Sequence, residues 1–237
     1  MKLVQKVAVI TGASSGLGAA IAELFCQHGM IVFGLARNSE KLNFLQKKIG
    51  DKFHPVCIDV TNELAINEWV AKTFSDTLMP DVLINNAGFG EFGKIDEMPS
   101  EKWLKTIQVN LNGMYFITRS LVPFFKKNKN HTHIVNIGSV LGSMGKEEAS
   151  AYSASKFAVT GFSESLFKEL RYDKIKVTCV NPGSIETDFL SSSGVTPHEN
   201  MLQPDEIAET IIHILETSPN MLISEITIRP LNPRNPY

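Results

Sequence analysis

The sequence predicts an α/β fold: one doubly wound parallel sheet with helices on both faces. Short β-branched runs alternate with longer stretches of helical period along the chain, the signature of βαβ units. Glycine, proline, asparagine or aspartate punctuates most of the junctions. With 237 residues, 43% of them hydrophobic, the chain can bury a sizeable core, and it stays within the reach of a single α/β domain over residues 1–237.

The elements follow in order. Val7 to Ile10 reads as the first strand, Gly16 to His28 as a helix and Ile31 to Leu35 as the second strand. Helix Ser39 to Ile49, strand Phe53 to Ile58, helix Glu63 to Phe74 and strand Asp81 to Ile84 complete the first half. The second half repeats the logic. A long helix spans Ser100 to Lys127, and strand His133 to Ile137 follows. Helix Ala151 to Tyr172, strand Lys176 to Val180, helix Pro204 to Glu216 and strand Leu222 to Ile228 bring the total to seven strands. Right-handed crossovers would cover both faces of such a sheet and place ligands at the carboxyl ends of its strands.

Composition excludes several classes of function. Twenty-three Lys and Arg against 25 Asp and Glu give a formal net charge of -2, which disfavours a nucleic-acid partner. No apolar run approaches the ~20 residues of a membrane span, so a soluble cytoplasmic protein is expected. Cys26, Cys57 and Cys179 form no CxxC pair and read as small buried hydrophobes. The pair His131 and His133 lacks further ligands and reads as a surface loop entering a strand, so no metal is expected.

Chemistry is first signalled at residues 11–18, Thr-Gly-Ala-Ser-Ser-Gly-Leu-Gly, between the first strand and the first helix. There, backbone N–H groups and the positive helix end can meet a pyrophosphate, and glycines let the backbone come close. The spacing lacks the Gly-Lys-Ser/Thr ending of a P-loop, which favours a dinucleotide over ATP. Tyr152 and Lys156, four residues apart in a helical segment, share one helix face. A phenol of pKa near ~10 is protonated at neutral pH and can donate to a carbonyl oxygen, while a nearby ammonium stabilises the phenolate.

Residues 11–18 also resemble the T-G-x-x-x-G-x-G turn of the short-chain dehydrogenase/reductase family. The resemblance extends over nearly the whole chain. Asn85-Asn86-Ala87-Gly88 is similar to the family's N-N-A-G segment, Asn181-Pro182-Gly183 to its P-G turn, and Tyr152-x-x-x-Lys156 to its catalytic pair. The resemblance implies a Rossmann-type fold and a catalytic set of Asn110, Ser139, Tyr152 and Lys156, with Ser139 holding the substrate oxygen against the tyrosine. At Asn110 it implies an interrupted helix and a water relay towards the lysine. For a dinucleotide it implies Gly12, Ser14, Ser15, Gly16, Leu17 and Gly18 at the pyrophosphate turn, and Asp59 and Val60 at the adenine. Asn86, Ala87 and Gly88 would lie alongside, Tyr152 and Lys156 at the nicotinamide ribose, and Pro182, Gly183, Ile185 and Thr187 at the carboxamide.

The second strand ends Leu35-Ala36-Arg37-Asn38, without the acid that binds a ribose 2′-hydroxyl. Arg37 offers a charged fork to a 2′-phosphate, so NADP(H) is expected to bind in preference to NAD(H), with NAD(H) still admitted. Ser15 stands where many NADP-dependent relatives carry a basic residue.

The expected reaction interconverts a carbonyl and an alcohol on a small substrate, with Phe89, Phe92, Leu141, Met144 and Phe189 as apolar lining and residues 186–203 as a substrate loop. Glu147 and Glu148 are expected to face solvent. Two alternatives are carried: a 3-oxoacyl-carrier-protein reductase, with Lys126, Lys127, Lys129 and Arg171 as a basic dock, and an NADP(H)-binding redox sensor or scaffold without turnover. Residues 222–230 look more like the small-molecule branch with 3-hydroxy acid and serine dehydrogenases. The family resemblance also implies a homodimer or homotetramer formed through the helices near residues 100–127 and 151–172, which carry Phe116, Leu121, Phe124, Phe125, Phe162 and Phe167, although a core role explains several of these six without a partner.

Overall fold

The computed structural model describes residues 1–189 and 200–232. Its seven strands are β1 (Val7–Thr11), β2 (Ile31–Ala36), β3 (Phe53–Cys57), β4 (Val82–Asn85), β5 (Thr132–Ile137), β6 (Ile175–Pro182) and β7 (Glu225–Ile228). They form one sheet in the order β3-β2-β1-β4-β5-β6-β7, every pairing parallel. The helices are α1 (Gly16–Gln27), α2 (Ser39–Ile49), α3 (Glu63–Thr73), α4 (Ser100–Ile107), α5 (Gly113–Lys127), α6 (Ser150–Leu170) and α7 (Pro204–Glu216).

Alternation along the strands builds two core layers. Ala8 and Ile10 of β1 pack with Ile21 and Phe25 of α1, Leu42 of α2 and Ile211 of α7. Val7 and Val9 face the other way, onto Ile66 of α3, Ile117, Leu121 and Phe125 of α5, and Leu166 of α6. Phe116, Phe124, Phe162 and Phe167 lie partly buried against that second layer, so packing within the chain accounts for these four side chains. None of the described helices is long and apolar enough to cross a membrane.

Chain order reverses between β1 and β4, which lie side by side with β2 and β3 on one flank and β5 to β7 on the other. A crevice opens at such a switch point, outside the carboxyl ends of the strands. The residues that leave those ends are Gly12, Arg37, Asn86, Gly138 and Gly183.

Four sequence expectations are corrected here. The helix read over 100–127 is two helices joined by a π-helical turn, Gln108–Asn112, which contains Asn110, where the resemblance implied an interruption, and is closed by the N–H of Gly113 bonding to the carbonyl of Gln108. The last strand starts at Glu225 rather than Leu222. The Met221 and Ile223 carbonyls are taken by side chains, Lys176 Nζ at 2.6 Å and Thr178 Oγ1 at 2.6 Å. Cys57 is exposed because it ends β3, the strand at the sheet's edge, while Cys26 and Cys179 are buried. His133 lies inside β5, not in a surface loop. Its Nε2 bonds Thr178 Oγ1 at 2.8 Å.

Candidate active site

The glycine turn is shaped by contact with the segment after β4. Gly12 has φ +67, and a Cβ on it would come within 2.9 Å of Ala87 Cα. A Cβ on Gly18 would overlap the Gly12 carbonyl oxygen, so α1 can start against the turn only with glycine there. Thr11 Oγ1 accepts from the N–H groups of Asn86 and Ala87, both at 3.0 Å. The Asn86 amide donates back to the carbonyls of Thr11 and Gly12, at 3.0 and 3.2 Å. The Ser15 side chain makes no capping bond at the start of α1, which leaves first-turn N–H groups for an anionic ligand.

Across the crevice, β5 and β6 hold the turn that carries Ser139. Asn181 Oδ1 accepts from the N–H of Ser139 at 3.1 Å, and its amide donates to Glu225 Oε1 at 2.7 Å. The Ser139 hydroxyl oxygen accepts from the N–H of Leu141 at 3.1 Å, fixing its direction.

Tyr152 and Lys156 stand on the first turns of α6. Lys156 Nζ is buried and donates to the carbonyl of Ile137 at 2.8 Å, with the ammonium 5.6 Å from the centre of the Tyr152 ring. Burial pushes the phenol pKa up to about 12, against an opposing hydrogen bond with Ser139. Burial also brings the Lys156 ammonium down to about 8. Both shifts come from desolvation, which disfavours phenolate and ammonium alike.

Asn110 sits behind this pair in the π-helical turn. Its side chain accepts from the N–H of Phe89 at 2.7 Å and donates to the Phe89 carbonyl at 2.8 Å and to Ser155 Oγ at 2.9 Å. Ser155 in turn donates to the carbonyl of Tyr152 at 2.7 Å. A continuous chain of hydrogen bonds thus ties the segment after β4 to α6.

One cleft of about 550 Å³ runs through the crevice. Its walls include Gly12, Ser14, Ser15, Gly16, Leu17, Arg37, Asn38, Asp59, Val60, Asn86, Ala87, Gly88, Ser139, Tyr152, Lys156, Pro182, Gly183, Ile185 and Thr187. Of the sequence-named site residues, Gly18 and Asn110 alone are absent from these walls, and each supports the cleft from behind. Asn38 also caps α2, accepting from the N–H of Lys41 at 2.9 Å.

A family model for short chain dehydrogenases matches residues 6–197. The chain belongs to that family. A farnesol dehydrogenase of Aedes aegypti is 34% identical to it over 95% of this chain and 96% of its own. An uncharacterized oxidoreductase of Staphylococcus saprophyticus is 34% identical over 98% and 100%. Among solved structures, a 3-ketoacyl-(acyl-carrier-protein) reductase from Brucella melitensis, complexed with NADH, superposes with a TM-score of 0.90 at 28% identity, covering 98% of this chain and 100% of that one. A serine dehydrogenase complexed with NADP+ gives 0.87 at 28% identity over 94% of each chain.

Members of the short-chain dehydrogenase family bind nicotinamide cofactors, and the geometry fits such a group. The cradle at Gly12 has no room for a Cβ, and an uncapped helix start faces the same cleft. At the other end of the cleft, Phe89, Phe92, Leu141 and Phe189 line the walls as the sequence suggested. Met144 does not. It is exposed, and its sulfur lies 4.0 Å from an Arg229 nitrogen. Glu147 and Glu148 are exposed, as expected. Of the segment 186–203, residues 190–199 lie outside the described residues.

Sequence reasoning missed Val109 in the walls and Ser155 behind them, and it placed Val140 and Lys146 near the site only through the segment Val140 to Ala149, expected to shape specificity. Ser155 had a readable signal, since it lies four residues from both Ala151 and Val159 and so on the apolar, buried side of the same helix. Within the segment Val140 to Ala149, nothing singled out Lys146 from its neighbours, because which side chain faces the cleft depends on tertiary contacts.

Proposed function

We propose that this short-chain dehydrogenase interconverts a carbonyl and an alcohol on a small substrate, using NADP(H), with Tyr152 as the general acid and base. The observation that carries the reading is that Ser139, Tyr152 and Lys156 line the same cleft as the glycine turn.

The bound nicotinamide supplies or accepts the hydride, and the proton is left to the protein. Ser139 holds the substrate oxygen by a hydrogen bond, most strongly when negative charge develops there. Tyr152, protonated up to about pH 12 in the free protein, donates its proton to that oxygen as the carbonyl is reduced. Lys156 then stabilises the phenolate electrostatically. In the reverse direction the phenolate takes the alcohol proton. Asn110 and Ser155 keep α6 in register with Phe89 and hence with the substrate wall.

Arg37 supports the NADP(H) preference. It lines the cleft at the end of β2, is exposed, and approaches Asp59 Oδ2 no closer than 4.0 Å. A surface pair of this kind is worth only ~0–1 kcal/mol, so the guanidinium is available to a 2′-phosphate. Exposed Leu104 on α4, Tyr115 on α5 and Phe157 on α6 support a homo-oligomer. The likeness to the Brucella reductase favours a second reading, reduction of a 3-oxoacyl group on an acyl carrier protein.

The test is NADPH and NADH oxidation against small ketones, β-keto acids and esters, and acyl thioesters, with wild type and Tyr152→Phe side by side. Loss of the proton donor should lower kcat about 10²- to 10⁴-fold. Turnover confined to acyl thioesters would select the second reading. Dinucleotide binding without turnover of any carbonyl would leave a sensor or scaffold.

A further inference from the structure

The substrate end of the cleft has a chemical bias. Phe92 and Phe189 flank the Tyr152 ring, with centroids 5.5 and 5.6 Å away. Both converge on Gly90, where a Cβ would meet Phe189 at 2.5 Å and Phe92 at 2.9 Å. The reacting carbonyl therefore has apolar neighbours.

Besides Lys156, two charged side chains interrupt this wall, and one of them, Asp188 beside Phe189, is paired with Lys41 Nζ at 3.5 Å. Lys146 lines the cleft yet is exposed, which puts it at the mouth. No carboxylate of the described residues lies within salt-bridge distance of it. Its neighbours Glu147 and Glu148 do not line the cleft. The reason is a fixed turn: Glu148 adopts φ 59, its carbonyl accepts from the N–H of Gly93 at 2.7 Å, and the N–H of Ala149 bonds the Lys146 carbonyl at 3.2 Å. The loop is thereby fastened to the segment that carries Phe92, and the cation is presented while the two acids are turned away.

We propose that the physiological substrate is an oxo acid or the corresponding hydroxy acid, with an apolar substituent against Phe92 and Phe189 and a carboxylate that pairs with Lys146. This rests on the hydride-transfer reading above and deepens it to a substrate class. In reduction, the hydride adds to the carbonyl carbon, Tyr152 gives its proton to the oxygen, and the carboxylate remains ionised throughout.

The test compares β-keto acids with their methyl esters and with an oxoalkyl phosphate, using NADPH and wild type, Lys146→Met and Lys146→Arg. The acid should exceed its ester in kcat/KM by roughly tenfold, the effect of one charge-assisted hydrogen bond. Lys146→Met should erase that ratio and Lys146→Arg should keep it. The acid's KM should rise with ionic strength while the ester's does not. An acid-to-ester ratio near one in wild type, or a ratio indifferent to Lys146→Met, overturns the proposal while the reductase reading stands. A phosphate preferred over the carboxylate keeps the anion site but overturns the oxo acid. No turnover of any of the three by wild type while small ketones are reduced overturns this inference alone, and no turnover of any carbonyl overturns the reductase reading with it.

Discussion

Ser155 joins Asn110 and Tyr152, two positions of the proposed catalytic set. Its hydroxyl accepts from Asn110 and donates to the Tyr152 carbonyl, and it is fully buried. Ser155→Ala removes one buried hydrogen bond from each partner, while Asn110 keeps Phe89 and the Tyr152 carbonyl keeps its place in α6, at a cost of about 1 kcal/mol of stability. It also frees Asn110, and with it the main chain of Phe89, to drift from α6. The expected result is a kcat reduced about tenfold with the KM for the dinucleotide little changed, since the glycine turn and Arg37 are untouched. Steady-state kinetics with the dinucleotide as varied substrate checks this, and an equal rise in that KM would refute the coupling. The sequence singled out Asn110, Ser139, Tyr152 and Lys156 as the proposed catalytic set through the family resemblance of short motifs. The environment that tunes them was not legible there. The opposite movements of the Tyr152 and Lys156 pKa values, to about 12 and about 8, arise from burial by residues distant in sequence.

At the scale of elements, β5 contains a pH-sensitive defect. The Thr178 hydroxyl donates to the Ile223 carbonyl, so it must accept from His133 Nε2, and the ring is the tautomer protonated at Nε2. Nδ1 is then a buried acceptor without a partner. Protonation there would bury a charge, with the Lys176 ammonium opposing it, and the pKa falls to about 3, desolvation being the larger cause. The unfolded chain takes up a proton near the ordinary value of 6.5 and the folded one does not. Stability is therefore fully present above pH 6.5 and drops as pH falls from 6.5 towards 3, by about 1.4 kcal/mol per pH unit. His133→Leu should flatten that slope by about one proton, as read from urea unfolding between pH 4 and 6.5. An unaltered slope would show that other groups carry the acid sensitivity. One element-level error shares a cause with this feature. The late start of the last strand, with the carbonyls of Met221 and Ile223 captured by Lys176 and Thr178, depends on side chains that meet only after folding, whereas the interruption of the helix over 100–127 falls at Asn110, where the family resemblance implied it.

For the whole molecule, the cleft draws its walls from both flanks of the sheet, Arg37 after β2 on one side and Pro182 at the end of β6 on the other. A dinucleotide bound there should stabilise the entire fold, by about 2.7 kcal/mol at a hundredfold excess over Kd. NADPH should raise the melting temperature more than NADH at equal concentration, and Arg37→Ala should remove most of the difference. A larger shift with NADH would overturn the 2′-phosphate argument. The sequence by itself determined the seven-stranded alternation, the family and its motif residues, because hydrophobic period and glycine spacing are local properties of the chain. Only the tertiary structure decided that Lys146 faces the cleft while Glu147 and Glu148 do not, that His133 is buried rather than exposed, and that Asn110 reaches Tyr152 through Ser155. Each of these depends on contacts between segments far apart in the chain, and such contacts leave no periodic trace in it.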